Sequence, residues 1–356
     1  MMKGTAERTV LVSSQESDHN RALYLNGLPG FRVQGLPSCL PIRFAEKLLE
    51  ALKRVDVFHL TWAEYLFEPM GFQGPDYFPR LDEFLGRLRE LPLRIAWTQH
   101  NRRPHYWPEG AGRELYRRWA ASTDVALHHS VWGREILQAE YNYPPACRHP
   151  VVLLPDLAPL MPECGEQAAL ERSFNLPPAP LRFGVLGRYQ KEKQVELILQ
   201  AFAKAGRSDQ QLIVTAYTQG MEVPKDPRIF LIPRGAQMSR EEIGGHLALC
   251  DGLVAAQTGD GYLTSGLLMD ALAGPTPMFV PGWKFYEEML GPAAIYHGND
   301  LESLVAAFEG IDSRRLAEVK AEMGPLRPLH ATGRLSRQLA NEFLQAVVGA
   351  PNLETG

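Results

Sequence analysis

The sequence is short of the features that mark several large classes of protein. Its 4 cysteines are scattered and form no CxxC pair, so neither a disulfide framework nor a cysteine-based zinc site is expected. No apolar run reaches the roughly 18 residues of a transmembrane helix. The net charge is only −4, which argues against a broadly basic nucleic-acid binder. The first residues also lack the apolar run of a signal peptide, and we therefore expect a cytoplasmic protein.

Several catalytic motifs are missing as well. The chain has no GxSxG, HExxH, protein-kinase motif set, GxGxxG or P-loop, which argues against the corresponding hydrolases, metalloproteases, kinases, dehydrogenases and ATPases. His100 and His105 stand five residues apart, but no carboxylate or cysteine completes a ligand set there. We therefore expect no metal site and no cofactor.

What the sequence does contain is a repeated alternation of short apolar runs and amphipathic stretches. The apolar runs are rich in Val, Ile, Leu and Phe and are bounded by Gly, Pro or Asp, as buried parallel strands are. Strands are predicted over 9–14, 31–36, 55–62, 93–100, 124–129, 151–154, 181–186, 211–217, 229–233, 252–257, 277–280 and 294–296. Helices are predicted over 43–54, 77–91, 114–122, 195–205, 240–250 and 301–311. This order predicts an α/β protein with doubly wound parallel sheets.

The length of 356 residues suits two domains, and a proline-rich stretch over 158–180 has the composition of a linker. We therefore predict an N-terminal Rossmann-like domain over 1–165 and a C-terminal Rossmann-like domain over 166–333. The segment 334–356 is predicted to contain a helix that crosses back to the N-terminal domain. Asn299 and Glu302 have the spacing of a capping box at the start of the helix predicted over 301–311.

One possible phosphate site follows the strand predicted over 181–186. Gly187 ends this strand, and Arg188 and Lys193 follow before the next helix. In a doubly wound sheet, ligands bind beyond the carboxyl ends of the strands. Glycine lets the backbone approach a phosphate there, and two cations can neutralise it. The alternative interpretation is a turn glycine with two solvated cations.

A second possible phosphate site lies at a helix start. Thr264, Ser265 and Gly266 begin a helix that stops at Gly274, after a strand and a Gly/Asp-containing loop. Thr and Ser cap helices well, and a helix N-terminus carries a partial positive charge that favours an anion such as a diphosphate. The alternative is an ordinary N-cap without a ligand.

Together these two segments resemble the C-terminal domain of GT-B glycosyltransferases of the family 4 type. Gly187, Arg188 and Lys193 stand at the places of that family's donor-phosphate segment. The resemblance implies a GT-B fold, with two Rossmann-like domains facing each other across a cleft. It also implies that Asp270 contacts the nucleotide ribose and that backbone amides at Thr264, Ser265 and Gly266 bind the diphosphate.

The chain departs from this family at the first of two paired acids. The family's acids are eight residues apart, whereas Asp260 precedes Asp270 by ten and Tyr262 stands where the first acid belongs. Asp260 either contacts the donor sugar from a longer loop or is a turn aspartate.

Polar and aromatic residues end two predicted strands of the N-terminal half. His59, Trp62 and Glu64 lie at the end of one strand, and His100 and Asn101 lie at the end of another. Strand ends at one sheet edge form a cleft, so His100 could act as a general base or hold a sugar hydroxyl or phosphate. The alternative is a strand-end histidine bonded to the backbone. His128 and His129 alternate along a further strand, so at most one of them faces the cleft.

These N-terminal stretches resemble bacterial exopolysaccharide glycosyltransferases, in particular the xanthan-type β-mannosyltransferases. The matching residues are Asp56, Val57, His59, Trp62, Glu64, Tyr65 and Leu66, and then Thr98, His100, Asn101, Pro104 and His105. The resemblance implies a GDP-mannose donor, a lipid-linked oligosaccharide acceptor and a metal-independent inverting transfer. The sequence leaves UDP-glucose, UDP-glucuronate and a retaining course open. The acceptor contacts would be His59, Trp62, Glu64, Asn101, Arg102, Arg103 and His105.

A basic and aromatic segment follows His100. The segment 102–119 contains five arginines but two glutamates, and tyrosines and tryptophans are interleaved with them. Such a composition suits a pyrophosphate-bearing lipid or peripheral contact with the inner face of the membrane. The alternative is a solvated helix face with a buried aromatic side.

The sequence thus predicts a glycosyltransferase whose C-terminal domain binds a nucleotide sugar. Two other functions are left open: a non-catalytic scaffold subunit of GT-B shape, favoured by the missing first acid, and a sugar-nucleotide epimerase. No nucleic-acid partner is expected.

Overall fold

The computed structural model describes residues 7–67, 77–104, 107–161, 167–187, 189–216, 220–232, 238–258 and 263–348. The chain divides into two compact units. The first unit comprises Met1–Pro155, Gly261–Thr264 and Thr332–Gly356, and the second comprises Asp156–Asp260 and Ser265–Ala331.

The first unit is built on a parallel sheet. Its elements run in the order β1 (Arg8–Val12), α1 (Asp18–Tyr24), β2 (Phe31–Gly35), α2 (Ala45–Leu52), β3 (Val57–Leu60), α3 (Tyr77–Arg89), β4 (Arg94–Thr98), α4 (Glu109–Ala120), β5 (Val125–Leu127) and α5 (Val131–Glu140). The described strands pair in the order β2-β1-β3-β4-β5, all parallel. β3 and β5 are buried along their whole length, as expected for parallel strands that helices cover on both faces.

The second unit is built on a second parallel sheet. Its elements are α6 (Gln167–Ser173), β6 (Leu181–Val185), α7 (Val195–Ala205), β7 (Gln210–Val214), β8 (Ile229–Leu231), α8 (Arg240–Leu249), β9 (Gly252–Val254), α9 (Gly266–Ala273), β10 (Met278–Pro281), α10 (Lys284–Leu290), β11 (Ala294–His297), α11 (Leu301–Gly310), α12 (Ser313–Met323) and α13 (Arg327–His330). The described strands pair in the order β11-β10-β9-β6-β7-β8, all parallel. This is the strand order of the dinucleotide-binding Rossmann fold.

The last described helix, α14 (Thr332–Val348), packs on the first unit. Its buried side chains Leu335, Leu339 and Phe343 join one core cluster with Val10, Val12 and other residues of the first sheet. On β1 and β3, the side chains of Leu11 and Phe58 belong instead to a second core cluster, on the opposite face of the sheet. This alternation is the period of two that a strand imposes on its side chains.

Most of the predicted strands are confirmed. Each predicted range except 151–154 overlaps a strand in the described part of the chain. Within 151–154 the structure has only an isolated bridge, from Val151 to His128. Pro150 and Pro155 flank this segment and lack the N–H that a longer ladder would need.

The predicted capping box at the start of α11 is wrong by one residue. The N-cap is Asp300, whose carboxylate accepts the Ser303 backbone N–H at 2.9 Å, while the Ser303 hydroxyl bonds the Asp300 backbone in return. Asn299 instead has a left-handed backbone, with φ of 62°, and its side chain serves another purpose described below.

Candidate functional site

The first group of candidate residues lies at the carboxyl edge of the first sheet. The strand order reverses between β1 and β3, which is where open α/β sheets bind ligands. A buried polar network joins the ends of these two strands. The Asn20 amide donates to the carbonyl oxygens of Ser13 and Ser14, at 3.0 Å each, and to the Thr61 hydroxyl at 3.0 Å. This network fixes the start of α1 against the sheet.

His100 follows β4 at this edge and is 4% exposed. Its ring stacks on Trp62 with a centroid separation of 4.3 Å and an interplanar angle of 13°. Two further buried histidines surround it, with ring centroids 4.7 Å away for His19 and 5.0 Å away for His129. The sequence analysis did not single out His19. Of the adjacent pair, His129 joins this group, whereas His128 lies 3.1 Å from His149 between ring nitrogens.

Burial keeps the imidazoles of His100 and His19 neutral. Burial lowers the pKa of His100 well below its usual value, and the neighbouring histidines lower it further. Burial also lowers the pKa of His19 to about 4. A neutral imidazole keeps a lone pair at pH 7, but a low pKa makes it a weak general base. Because its pKa is lowered, His100 is better suited to contacting a ligand than to removing a proton.

Two other predicted acceptor residues are engaged within the core. His59 is fully buried, and its ring nitrogens lie 2.5 Å from the Tyr24 hydroxyl and 2.7 Å from the Thr98 hydroxyl. Glu64 accepts a hydrogen bond from the Tyr116 hydroxyl at 3.0 Å, and burial raises its pKa to about 7. Both side chains therefore have partners within the protein, and the acceptor contacts implied for them stay a prediction.

The basic segment after His100 is largely neutralised by ion pairs. Arg102 donates to Glu140 at 2.9 Å, and Arg103 donates to Glu109 at 2.9 Å. Asn101 is buried beside them, and His105 lies outside the described residues. Further ion pairs join the arginines of α4 to acids, namely Arg113 to Glu109, Arg117 to Glu114 and Arg118 to Asp82. The buried aromatic residues here are Trp107, Tyr116 and Trp119, as the interpretation of a solvated helix face with a buried aromatic side expects.

The second group of candidate residues lies at the carboxyl edge of the second sheet. Here the strand order reverses between β6 and β9. Gly187 follows β6 with φ of 101°, and its backbone N–H donates to the Thr215 hydroxyl at 3.1 Å. The Lys193 ammonium lies 3.5 Å from the point where a Cβ on Gly187 would be. The structure therefore brings these two predicted residues together at the reversal point. Arg188 lies outside the described residues.

Hydrogen bonds tie three loops together at this edge. The Thr258 backbone N–H, beyond β9, donates to the Glu192 carbonyl at 2.7 Å. Asn299, beyond β11, accepts the Gln257 N–H at 3.0 Å and donates to the Gln257 carbonyl at 2.7 Å. This role of Asn299 could not be predicted from the sequence, because a side chain that bonds a distant loop leaves no local pattern.

The predicted helix start is present at α9. The Ser265 hydroxyl accepts the Leu268 N–H at 3.2 Å as N-cap, and a Cβ on Gly266 would meet open space. Thr264 belongs to the first unit, where its hydroxyl donates to the His100 carbonyl at 3.2 Å. Asp270 pairs with Arg240 at 2.7 Å, and Asp260 lies outside the described residues. The ribose contact implied for Asp270 therefore stays a prediction.

No helix in the described part of the chain combines the length and apolar character needed to cross a membrane.

The fold is shared with known glycosyltransferases, although the sequence matches no protein-family model and no curated protein. A sucrose-phosphate synthase from Thermosynechococcus elongatus matches with a TM-score of 0.72 and 11% identity, over 96% of this chain and 100% of that one. HepE from Anabaena, solved in complex with UDP, matches with a TM-score of 0.68 and 10% identity, over 94% and 99%. A glycosyltransferase from Rickettsia africae matches with a TM-score of 0.69 and 10% identity, over 97% and 100%.

At such identities the likeness establishes the fold alone. It confirms the predicted GT-B class of α/β protein with two parallel-sheet domains.

Proposed function

We propose that this chain is a glycosyltransferase that moves a sugar from a nucleotide-sugar donor to an acceptor hydroxyl. The observation that carries the proposal is the position of Lys193 beside Gly187, at the strand-order reversal of the second sheet. The fold, shared with enzymes that include HepE in complex with UDP-glucose, supports it.

The second unit would bind the donor. Departure of a nucleoside diphosphate builds negative charge, which preorganised positive groups stabilise. The Lys193 ammonium, the Arg188 guanidinium and the backbone amides at Ser265 and Gly266 would supply that stabilisation. Gly187 would let the backbone approach a phosphate oxygen, since no side chain stands there. Asp270 would contact the ribose, and Asp260 the donor sugar.

The first unit would bind the acceptor around His100. Trp62 offers an aromatic face beside it, and Asn101 follows it directly. Arg102, Arg103 and His105 would contribute where the acceptor carries phosphate, as in a lipid-linked oligosaccharide. We propose peripheral contact with the inner face of the membrane only for that acceptor.

The donor is the finer part of the proposal. The resemblance in the first unit favours GDP-mannose, whereas HepE was solved in complex with UDP-glucose. Both donors present a diphosphate, which Gly187 and Lys193 would contact in the same way. They differ in the base and the sugar, so a comparison of donors separates them.

The test is a donor panel. Purified protein is incubated with GDP-mannose, UDP-glucose or UDP-glucuronate, with and without a bacterial lipid extract as acceptor source, and released nucleoside diphosphate is measured. We expect acceptor-dependent release, greatest with GDP-mannose and abolished by Arg188→Ala combined with Lys193→Ala.

Other outcomes would overturn the proposal in distinguishable ways. Conversion of a donor sugar without an acceptor would indicate an epimerase. Normal nucleotide binding with no release from any donor would indicate a scaffold subunit. Greatest release with UDP-glucose would keep the reaction class and reject GDP-mannose.

A further inference from the structure

Three histidines from distant parts of the sequence meet at the carboxyl edge of the first sheet. His19 lies in the first turn of α1, His100 follows β4, and His129 follows β5. All three are buried, at 6%, 4% and 4% exposure. Each offers one ring nitrogen, and these three atoms lie within 4.8 Å of one another. We call this group the three-histidine cluster.

The hydrogen bonds around the cluster fix which nitrogen carries a lone pair on His19. The Asn20 amide nitrogen donates to backbone carbonyls, so the oxygen of the same amide is the atom 3.3 Å from Nδ1 of His19. That oxygen can only accept, so Nδ1 carries the proton. In the neutral ring the lone pair is then on Nε2.

The same argument applies to His129. Its Nδ1 lies 2.8 Å from the Val152 carbonyl oxygen, which can only accept. Nδ1 is therefore the donor, and Nε2 carries the lone pair. A ring whose second nitrogen donates to a carbonyl is the usual support of a metal-ligating histidine, because that bond fixes both the ring orientation and the tautomer.

His100 supplies the strongest sign that a ligand belongs here. Its Nε2 is buried and has no hydrogen-bond partner among the described residues. Buried polar atoms rarely stay unpaired, because leaving one unpaired costs stability. A ligand that accepts the lone pair of this nitrogen, such as a metal ion, would pair it.

We propose that the three-histidine cluster binds a divalent transition-metal ion, with Zn²⁺ the best match to three imidazole ligands. Tetrahedral Zn²⁺ with Zn–N distances of about 2.1 Å holds its ligands about 3.4 Å apart, so ring nitrogens that lie within 4.8 Å of one another need to approach by about 1.4 Å at most. Three protein ligands leave a fourth position open to an oxygen ligand. In the proposed glycosyl transfer, which this inference does not require, an acceptor hydroxyl would bind there.

The proposal departs from the expectation of no metal site drawn from His100 and His105. The three histidines belong to the first unit, whereas the proposed diphosphate residues Gly187 and Lys193 belong to the second. Sequence spacing could not reveal the cluster, since its members are separated by 81 and 29 positions (100 − 19 and 129 − 100).

The test uses the full chain without a histidine tag. After removal of metal with a chelator and dialysis, the protein is titrated with Zn²⁺ and separately with Co²⁺. Binding, the visible spectrum of bound Co²⁺ and thermal stability are recorded. The variants are His19→Gln, His100→Gln and His129→Gln, and the matched control is His149→Gln, which removes a half-buried histidine outside the cluster.

We expect one Zn²⁺ per chain, a tetrahedral Co²⁺ spectrum and a higher melting temperature with Zn²⁺. Each cluster variant should bind at least about a hundredfold more weakly, because loss of even a supporting outer-shell partner typically costs about 10–100-fold. The control should bind as the unaltered chain does. No stoichiometric binding to the unaltered chain would overturn the proposal even where a variant fails to fold. Equal weakening by His149→Gln would overturn it as well. Nucleotide release plays no part in this readout, so failure here is distinct from failure of the proposed transfer.

Discussion

The Lys193 ammonium lies 3.5 Å from the position that a Cβ on Gly187 would occupy. Gly187 has φ of 101°, a conformation that side chains disfavour, and it stands at the strand-order reversal of the second sheet. A conformation of this kind costs about 1–3 kcal/mol in other residues. The absence of a side chain there leaves the backbone and the ammonium together at the point where a phosphate would bind.

Gly187→Ala is therefore predicted to weaken nucleotide binding as well as stability. Its matched control is Gly206→Ala, since Gly206 also has a positive φ, of 69°, at the end of α7. Thermal unfolding and calorimetric titration with UDP and GDP measure the two effects. Both variants should have a lower melting temperature than the unaltered chain, but only Gly187→Ala should bind nucleotide more weakly. Equal affinity in the two variants would remove Gly187 from the donor site.

Glu64 is predicted to make stability depend on pH. Burial raises its pKa from 4.5 to about 7, so between these values the unfolded chain loses a proton that the folded chain keeps. Stability therefore falls as the pH rises through this window, by about 3 kcal/mol at most. Glu64→Gln retains an acceptor for the Tyr116 hydroxyl and removes the titration, so it should stabilise the protein at pH 8 and change little at pH 4.

Urea unfolding at several pH values measures this difference. The exposed Glu90 provides the control, and Glu90→Gln should change stability equally little at every pH. A Glu64→Gln effect that does not vary with pH would show that Glu64 titrates normally.

Phe343 tests the attachment of α14 to the first unit. Its side chain is fully buried, with its ring 5.4 Å from His59 and 6.1 Å from Phe31 between centroids. Removing a buried phenylalanine ring typically costs about 3–5 kcal/mol because it leaves a cavity. Phe343→Ala should therefore destabilise the chain far more than Leu344→Ala, which alters a half-buried neighbour. Comparable unfolding midpoints for the two variants would contradict the packing described.

The strands could be predicted because parallel strands covered on both faces are continuous apolar runs. Leu181–Val185 and Val57–Leu60 are buried along their whole length, so their sequences are mostly apolar and indicate buried strands. The same signal misled at 151–154, where an apolar run between two prolines forms only one bridge. Hydrophobicity identifies burial, but the backbone N–H groups determine whether a ladder forms.

The candidate site was predictable only in part. Gly187 and Lys193 are close in sequence, so their pairing could be inferred from spacing. His19 and Asn299 act through contacts with residues far along the chain, namely His100 and Gln257. His59 lies in the predicted strand and Glu64 lies just after it. Their partners Tyr24, Thr98 and Tyr116 come from other elements. Which neighbours a side chain meets is set by the fold rather than by local pattern.

Nucleotide affinity of two lysine variants tests the central claim most directly. Lys191 and Lys193 share one short turn, but Lys191 is exposed, whereas Lys193 lies beside Gly187. Calorimetric titration with GDP, UDP, GDP-mannose and UDP-glucose should show Lys193→Ala binding at least about tenfold more weakly than the unaltered chain, consistent with the loss of a charged hydrogen bond. Lys191→Ala should bind as the unaltered chain does. Unchanged affinity in Lys193→Ala would contradict the assignment of the donor site.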